Sequence, residues 1–197
     1  MVPSAGTAND VSFLIDYLPA YLFPLGERTV DRWGVAGISL GGHSAWILLG
    51  GGKIVGSCQN QGIETLCFTD TRIQVGIPII GCPDYVKLMQ HRAETCGIVF
   101  DAPNIPTTFL KTMSKTNPAS KDYATLERSN PFLGKKILVL SGAEDKLVPW
   151  VASQEFYDHL EVGAEGVKEL LLQTGVGHEC TGEMVDAAAR FVERMMV

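Results

Sequence analysis

The stretch Trp33-Gly-Val-Ala-Gly37-Ile-Ser39-Leu-Gly41-Gly-His43-Ser-Ala-Trp-Ile-Leu-Leu49 decides how the rest of the chain is read. Its first residues form a short apolar segment of the length of a buried strand. From His43 onward the pattern is that of a buried helix, stopped by Gly50-Gly51-Gly52. Gly37-Ile-Ser39-Leu-Gly41, a Gly-x-Ser-x-Gly, falls at the junction. A sharp strand-to-helix turn holds such a serine in a strained conformation and exposes its hydroxyl. The residues two before and two after must be small, because the two backbones pass close there. The new helix points its free N–H groups at the turn, so the Leu40 N–H is a candidate donor to a developing oxyanion. His43 lies one helical turn past Ser39 and reads as a helix-face residue rather than a base.

Outward from this junction the chain alternates strand and helix. Asn9 and Asp10 predict a helix cap, with apolar residues from Val11 to Leu22 at helical spacing and Pro24 and Gly26 as terminators. Residues 53–72 carry no clear period. Strands are expected at 73–80, 136–141 and 168–173, and helices near 150–161 and 181–195. Pro78 cannot donate to a ladder and predicts an irregular strand end. Apolar strands alternating with helices argue for about four parallel strands covered on both faces. Residues 83–134 break the rhythm with five prolines and short helical patches. They read as a helical lid insertion within a single domain spanning 1–197. Its Met89, Phe100, Phe109, Leu110 and Met113 fit either an apolar pocket or the lid's own packing core.

A serine hydroxyl becomes a useful nucleophile when a base removes its proton and a carboxylate fixes that base. The elbow motif sets the chain order as serine, acid, histidine. The strand at 136–141 ends in Ser141-Gly-Ala-Glu144-Asp145-Lys-Leu-Val-Pro149, where both Glu144 and Asp145 qualify. The strand at 168–173 runs into Gly175-Val-Gly177-His178, whose glycines allow the histidine to swing back over the strand ends. All three positions fall beyond the carboxyl ends of parallel strands, where sites in open α/β sheets lie. His91 in the lid and His159 on the following helix fit worse. Cys82 and Tyr85, at the mouth of the second strand, are candidates to line a substrate pocket.

Composition narrows the function classes. The chain has 197 residues, 46% hydrophobic, and 16 basic against 22 acidic side chains for a net charge of −6. Such a surface repels a phosphate backbone on average, so nucleic acid is not an expected partner. No apolar run approaches the ~20 residues of a membrane span. Five cysteines, an odd number without Cys-x-x-Cys spacing, fit reduced thiols in a cytoplasmic protein. The N-terminus lacks a secretory signal pattern.

The elbow around Ser39, the acid loop Ser-Gly-Ala-Glu-Asp145-Lys-Leu-Val-Pro and the histidine loop Gly-Val-Gly-His178-Glu together resemble the α/β-hydrolase superfamily. Within it they are similar to the dienelactone-hydrolase and prolyl-oligopeptidase-like branch of serine esterases and peptidases. Gly76-Ile-Pro-Ile-Ile-Gly-Cys-Pro-Asp-Tyr85 is similar to the strand-to-lid junction in that branch. The family's acid loop commonly reads Gly-x-x-Asp-x-x-Val-Pro, which selects Asp145 over Glu144. The resemblance implies hydrolysis of a small-molecule ester or thioester through an acyl-enzyme, with no metal or organic cofactor. Ser39 would attack, His178 would act as base and then acid, and Asp145 would orient the imidazole. The family's sheet has eight strands with the nucleophile after the fifth, so this chain is expected to hold the second half of the fold. Four earlier strands would need on the order of 100 more residues. The strand at 33–39 would then be an exposed edge. The second oxyanion donor, which the family takes from an earlier loop, has no match; its loss typically costs ~2.7–4 kcal/mol. The alternative expectation is a non-catalytic protein that forms a homodimer through that edge.

Overall fold

The computed structural model describes residues 3–51 and 72–196. Four strands, β1 (Trp33–Ile38), β2 (Ile73–Ile79), β3 (Lys136–Gly142) and β4 (Val167–Gln173), form one sheet in the order β1-β2-β3-β4. Every neighbouring pair is parallel. Helices α1 (Pro3–Leu22), α2 (Leu40–Leu49), α3 (Tyr85–Thr95), α4 (Thr107–Thr116), α5 (Val151–His159) and α6 (Gly182–Met196) surround it.

β3 shows why the sheet is covered on both faces. Ile137 and Val139 join Trp46, Leu48 and Leu49 of α2 and Phe156 of α5 in one core. The alternate residues Leu138 and Leu140 join Val75, Ile77 and Ile79 of β2 with Met184 and Phe191 of α6 in the other. The run Ile137–Leu140, apolar at every position, leaves no solvent face, as the period-2 alternation of side chains requires. Trp46 anchors the first core, with T-shaped contacts to Phe132 and Phe156 at centroid distances of 6.4 and 5.3 Å. α2 seats closely on β2 because Gly76 has no side chain: a Cβ there would lie 2.2 Å from Leu49 Cδ1.

Three details depart from the sequence reading. α1 begins at Pro3, well before the cap expected at Asn9 and Asp10. Ala8 is fully buried in the core with Trp46, and that burial carries the helix back through Pro3-Ser-Ala-Gly-Thr, a stretch whose own propensity is weak. Asn9 Oδ1 is accordingly buried without a hydrogen-bond partner among the described residues. Secondly, Pro78 sits inside β2, opposite Gly37 of β1. The pairing with β3 holds at Val75, Gly76 and Ile79 and skips the residues around the proline. Thirdly, the unassigned stretch at 53–72 lies almost wholly outside the described residues.

Between β2 and β3 the chain forms α3, α4 and a 3-10 turn at Pro118–Ser120. Asp84 Oδ1 accepts from the Lys87 N–H and from Asn117 Nδ2, and Asn117 Oδ1 accepts from the Tyr85 N–H. These bonds cap α3 and tie its start to the end of α4. At the other side of the molecule, β1 pairs only with β2 among the described strands, and its residues alternate between half-buried and exposed. Ile38 is 52% exposed, and along α1 Phe13, Leu14, Tyr17, Tyr21 and Leu22 are all more than half exposed.

Candidate active site

β1 delivers Ser39 to the start of α2 with φ 54° and ψ −111°. A non-glycine residue at positive φ is uncommon and costs on the order of 1–3 kcal/mol unless the surroundings over-determine it. Here they do. The Ser39 N–H donates to Ile79 O at 2.9 Å, and the His43 N–H donates to Ser39 O at 3.1 Å. A Cβ at Gly37 would lie 2.2 Å from the Gly41 carbonyl oxygen, so the position before the turn must be glycine. Gly41 itself faces open space. The second close approach instead involves Gly42, whose Cβ would lie 2.7 Å from Ile79 O. The smallness expected at Gly41 thus belongs one residue later, where α2 crosses the end of β2. Leu40 is the first residue of α2 and is half exposed, with its N–H in the unpaired first turn.

The structure brings Ser39, His178 and Asp145 together. Ser39 Oγ lies 2.8 Å from His178 Nε2, and His178 Nδ1 lies 2.7 Å from Asp145 Oδ2. With the imidazole proton on Nδ1, the ring donates to the carboxylate and accepts from the serine hydroxyl. The Asp145 side chain is fully buried. Its other oxygen, Oδ1, accepts from the Leu147 N–H at 2.8 Å and the Val148 N–H at 2.9 Å. A buried carboxylate needs such donors, and these leave Oδ2 aimed at the histidine. Glu144, the other acid left open by the residue pattern, is exposed, and it is its backbone N–H that bonds inward, to Val176 O. His91 and His159 lie elsewhere, on α3 and α5.

Beside this group, His43, Cys82, Tyr85, Met113, Thr116 and Asn117 line a pocket under the insertion. Cys82 and Tyr85, at the end of β2 and the start of α3, both line this cavity. Of the five large apolar residues named in the insertion, only Met113 lines it. His43 is buried on α2: Nδ1 lies 2.9 Å from both the N and the O of Cys82, and its ring meets Tyr85 edge-on. Burial pushes the imidazole below its ordinary value of 6.5, with the Arg92 and His178 charges acting in the same direction. Burial also raises the Cys82 thiol to about 12, so it stays protonated. Cys96 and Cys180 are free thiols; Cys58 and Cys67 lie outside the described residues.

Two contributors escaped the sequence reading. Gly142, at the end of β3, touches the histidine loop so closely that a Cβ would lie 2.3 Å from Gly177 O and 2.4 Å from Val176 O. Arg92 of α3 donates from Nε and Nη2 to Leu147 O in the acid loop, at 3.2 and 2.5 Å. The first could be suspected from a glycine at a strand end. The second has no sequence signal, because it joins residues 55 apart across two elements.

No family model matches the chain. It is 28% identical over 120 residues to "Putative esterase YitV" of Bacillus subtilis (strain 168), an alignment covering 58% of this chain and 45% of that protein. Among solved structures it is similar to an acetyl xylan esterase from Paenibacillus sp. R4, with a TM-score of 0.60 and 19% identity, covering 92% of this chain and 51% of that one. It is also similar to a bifunctional GH43-CE protein of Bacteroides eggerthii, with a TM-score of 0.65 and 18% identity, covering 95% and 27%. The chain has an α/β-hydrolase fold of four parallel strands flanked by helices. It spans about half the length, or less, of the proteins it matches. No helix among the described residues is long and apolar enough to cross a membrane.

Proposed function

We propose that the protein is a serine hydrolase that cleaves a carboxylic ester or thioester through an acyl-enzyme. The observation that carries this reading is the hydrogen-bonded line from Ser39 Oγ through His178 to the buried Asp145. Ser39 Oγ attacks the carbonyl carbon while His178 Nε2 takes the hydroxyl proton. The oxyanion of the tetrahedral intermediate is met by the Leu40 N–H at the start of α2. On collapse, His178 gives its proton to the departing alcohol or thiol, leaving acylated Ser39. Water then attacks with the same imidazole as base, releasing the acid and restoring the serine. Asp145 holds the imidazole tautomer and stabilises the imidazolium. Cys82 and Tyr85 are proposed to border the substrate; the cavity they line is only about 10 Å³, room for roughly one water-sized group, so a substrate would have to widen it. The esterase names of the similar proteins support the ester class. No cofactor enters this chemistry, and the reduced-thiol reading favours a cytoplasmic setting.

A fluorophosphonate probe tests this directly. It is expected to label the protein, with labelling and p-nitrophenyl acetate hydrolysis both lost in Ser39→Ala. Unchanged labelling in the mutant refutes the assignment.

A second reading, a non-catalytic protein that pairs with its own copy through the β1 edge, is favoured by one observation. Among the described strands β1 has one neighbour, β2, and α1 exposes Phe13, Leu14, Tyr17, Tyr21 and Leu22. It requires a stable dimer without ester turnover. A monomer at micromolar concentration in sedimentation equilibrium rules it out.

A further inference from the structure

We propose that Arg92 is a positioning residue for Asp145: α3 of the insertion holds the acid loop in the geometry that keeps His178 in line with Ser39. In its effect on turnover, this rests on the serine-hydrolase reading above.

The bond pattern within one peptide unit carries the inference. Leu147 C=O and Val148 N–H belong to the same planar group, so fixing one end fixes the other. Val148 N–H donates to Asp145 Oδ1 at 2.9 Å. Leu147 O, on the opposite edge of that plane, accepts two bonds from the Arg92 guanidinium. Released from Arg92, the plane loses its anchor on the carbonyl edge and can turn about its flanking bonds, tilting the N–H away from the carboxylate while the Val148 side chain stays packed. The Leu147 side chain does not resist this, being 58% exposed. A carbonyl that accepts charge-assisted bonds also makes its own N–H a better donor, so the grip strengthens the bond to Asp145 as well as aiming it.

α3 is a firm platform for this role. Leu88 packs in one buried cluster with Cys82, Val148 and Ala152, which joins the insertion to the acid loop and α5. Lys87 Nζ meets Glu155 Oε2 of α5 at 2.6 Å. These contacts stay in place when Arg92 alone is changed. α3 thus acts as a buttress of the acid loop, in contrast to a free-swinging lid.

The test compares Arg92→Met, which keeps length and loses the donors, with Arg92→Lys, which restores a donor. Turnover of p-nitrophenyl acetate is normalised to folded protein by circular dichroism. The downfield proton resonance of the His178 Nδ1–H bonded to Asp145 is followed by NMR. Arg92→Met is expected to lower kcat about tenfold with KM within about twofold, the scale of one lost charge-assisted bond. The downfield resonance broadens or disappears. Arg92→Lys is expected to recover most of kcat and the resonance. The proposal is overturned if Arg92→Met keeps both kcat and a sharp resonance, or lowers only the melting temperature, or if Lys fails to rescue. The NMR comparison decides the matter even if the wild type shows no Ser39-dependent turnover, an outcome that refutes the hydrolase reading alone.

Discussion

Gly142→Ala adds a single methyl group at the point where the acid and histidine loops meet. The new Cβ would fall 2.3 Å from Gly177 O and 2.4 Å from Val176 O. Ordinary carbon–oxygen contact is about 1 Å longer, and neither obstacle is a flexible side chain. The backbone of 176–177 must therefore retreat from β3 by roughly that amount. Two bonds zip these loops together, Ala143 N–H to Gln173 O and Glu144 N–H to Val176 O, both at 2.9 Å. The second cannot survive such a retreat. Overpacking costs ~1–3 kcal/mol, and the lost bond adds ~0.5–1.5 kcal/mol, so a lower melting temperature is expected. The larger effect falls on the site, because His178 follows Gly177 directly while Asp145 follows Gly142 by three residues. A misplacement near 1 Å of groups that must align costs ~100-fold, or ~2.7 kcal/mol of transition-state stabilisation. The assay is p-nitrophenyl acetate hydrolysis at 20 °C, where the variant remains folded, with kcat falling ~100-fold and KM changing little. Gly177→Ala is the control, since its Cβ has open space and no positive φ. It is expected to stay within threefold of wild type. The reasoning fails if Gly142→Ala keeps more than a third of wild-type kcat, or if Gly177→Ala is as damaging.

Two further outcomes follow from the elbow and the pocket. Gly41→Ala is expected to retain activity and gain up to ~1 kcal/mol from helix propensity, whereas Gly37→Ala is expected to abolish soluble expression or activity, because its Cβ meets the Gly41 carbonyl; equal damage from the two, read by urea denaturation and turnover, contradicts the elbow geometry. His43 is held below 6.5 by burial, so the unfolded chain takes up a proton there before the folded one does. Its contribution to stability is therefore intact above pH 6.5 and drains as pH falls, by at most ~1.4 kcal/mol between pH 7.5 and 5.5. Urea midpoints of wild type and His43→Gln should converge over that range, and a constant gap between them contradicts the assignment.

The elements most legible in the sequence are those whose local signal and tertiary role agree. β3 is apolar over Ile137–Leu140 because both its faces are covered there, and α6 shows one apolar stripe because one face of it packs on the sheet. Ser39 and His178 could be placed because glycines mark their turns. The acid was ambiguous for a physical reason: Glu144 and Asp145 are neighbours with the same chemistry. What separates them is the pair of backbone N–H groups at Leu147 and Val148 that can hold Asp145 in a buried position. The start of α1 was misread because the capping signal at Asn9 and Asp10 is local, while the burial of Ala8 against α2 is not. The Arg92 bonds to Leu147 O were invisible for the same reason. They depend on which loop α3 touches once folded, and no spacing along the chain encodes that.

The site is braced unevenly, and the unevenness has a mechanistic consequence. The acid–base half rests on β3 and β4, on the acid loop, on the zipper through Ala143 and Glu144, and on the α3 buttress. The proposed nucleophile Ser39 and the Leu40 N–H rest on β1, which has one neighbouring strand among those described and exposes Ile38 at its end. A strained residue such as Ser39 keeps its conformation only while its surroundings enforce it. Edge strands with few buried contacts open locally at lower free energy than core strands. Proton transfer is therefore the better-defended step of the proposed reaction, and oxyanion stabilisation the weaker one. A second oxyanion donor would be worth ~2.7–4 kcal/mol. Any structure that covers the β1 edge has the opportunity to supply it, and by restraining β1 it would also stabilise the elbow. Both effects raise kcat through the same surface, which makes the open face of β1 as relevant to the chemistry as the residues that perform it.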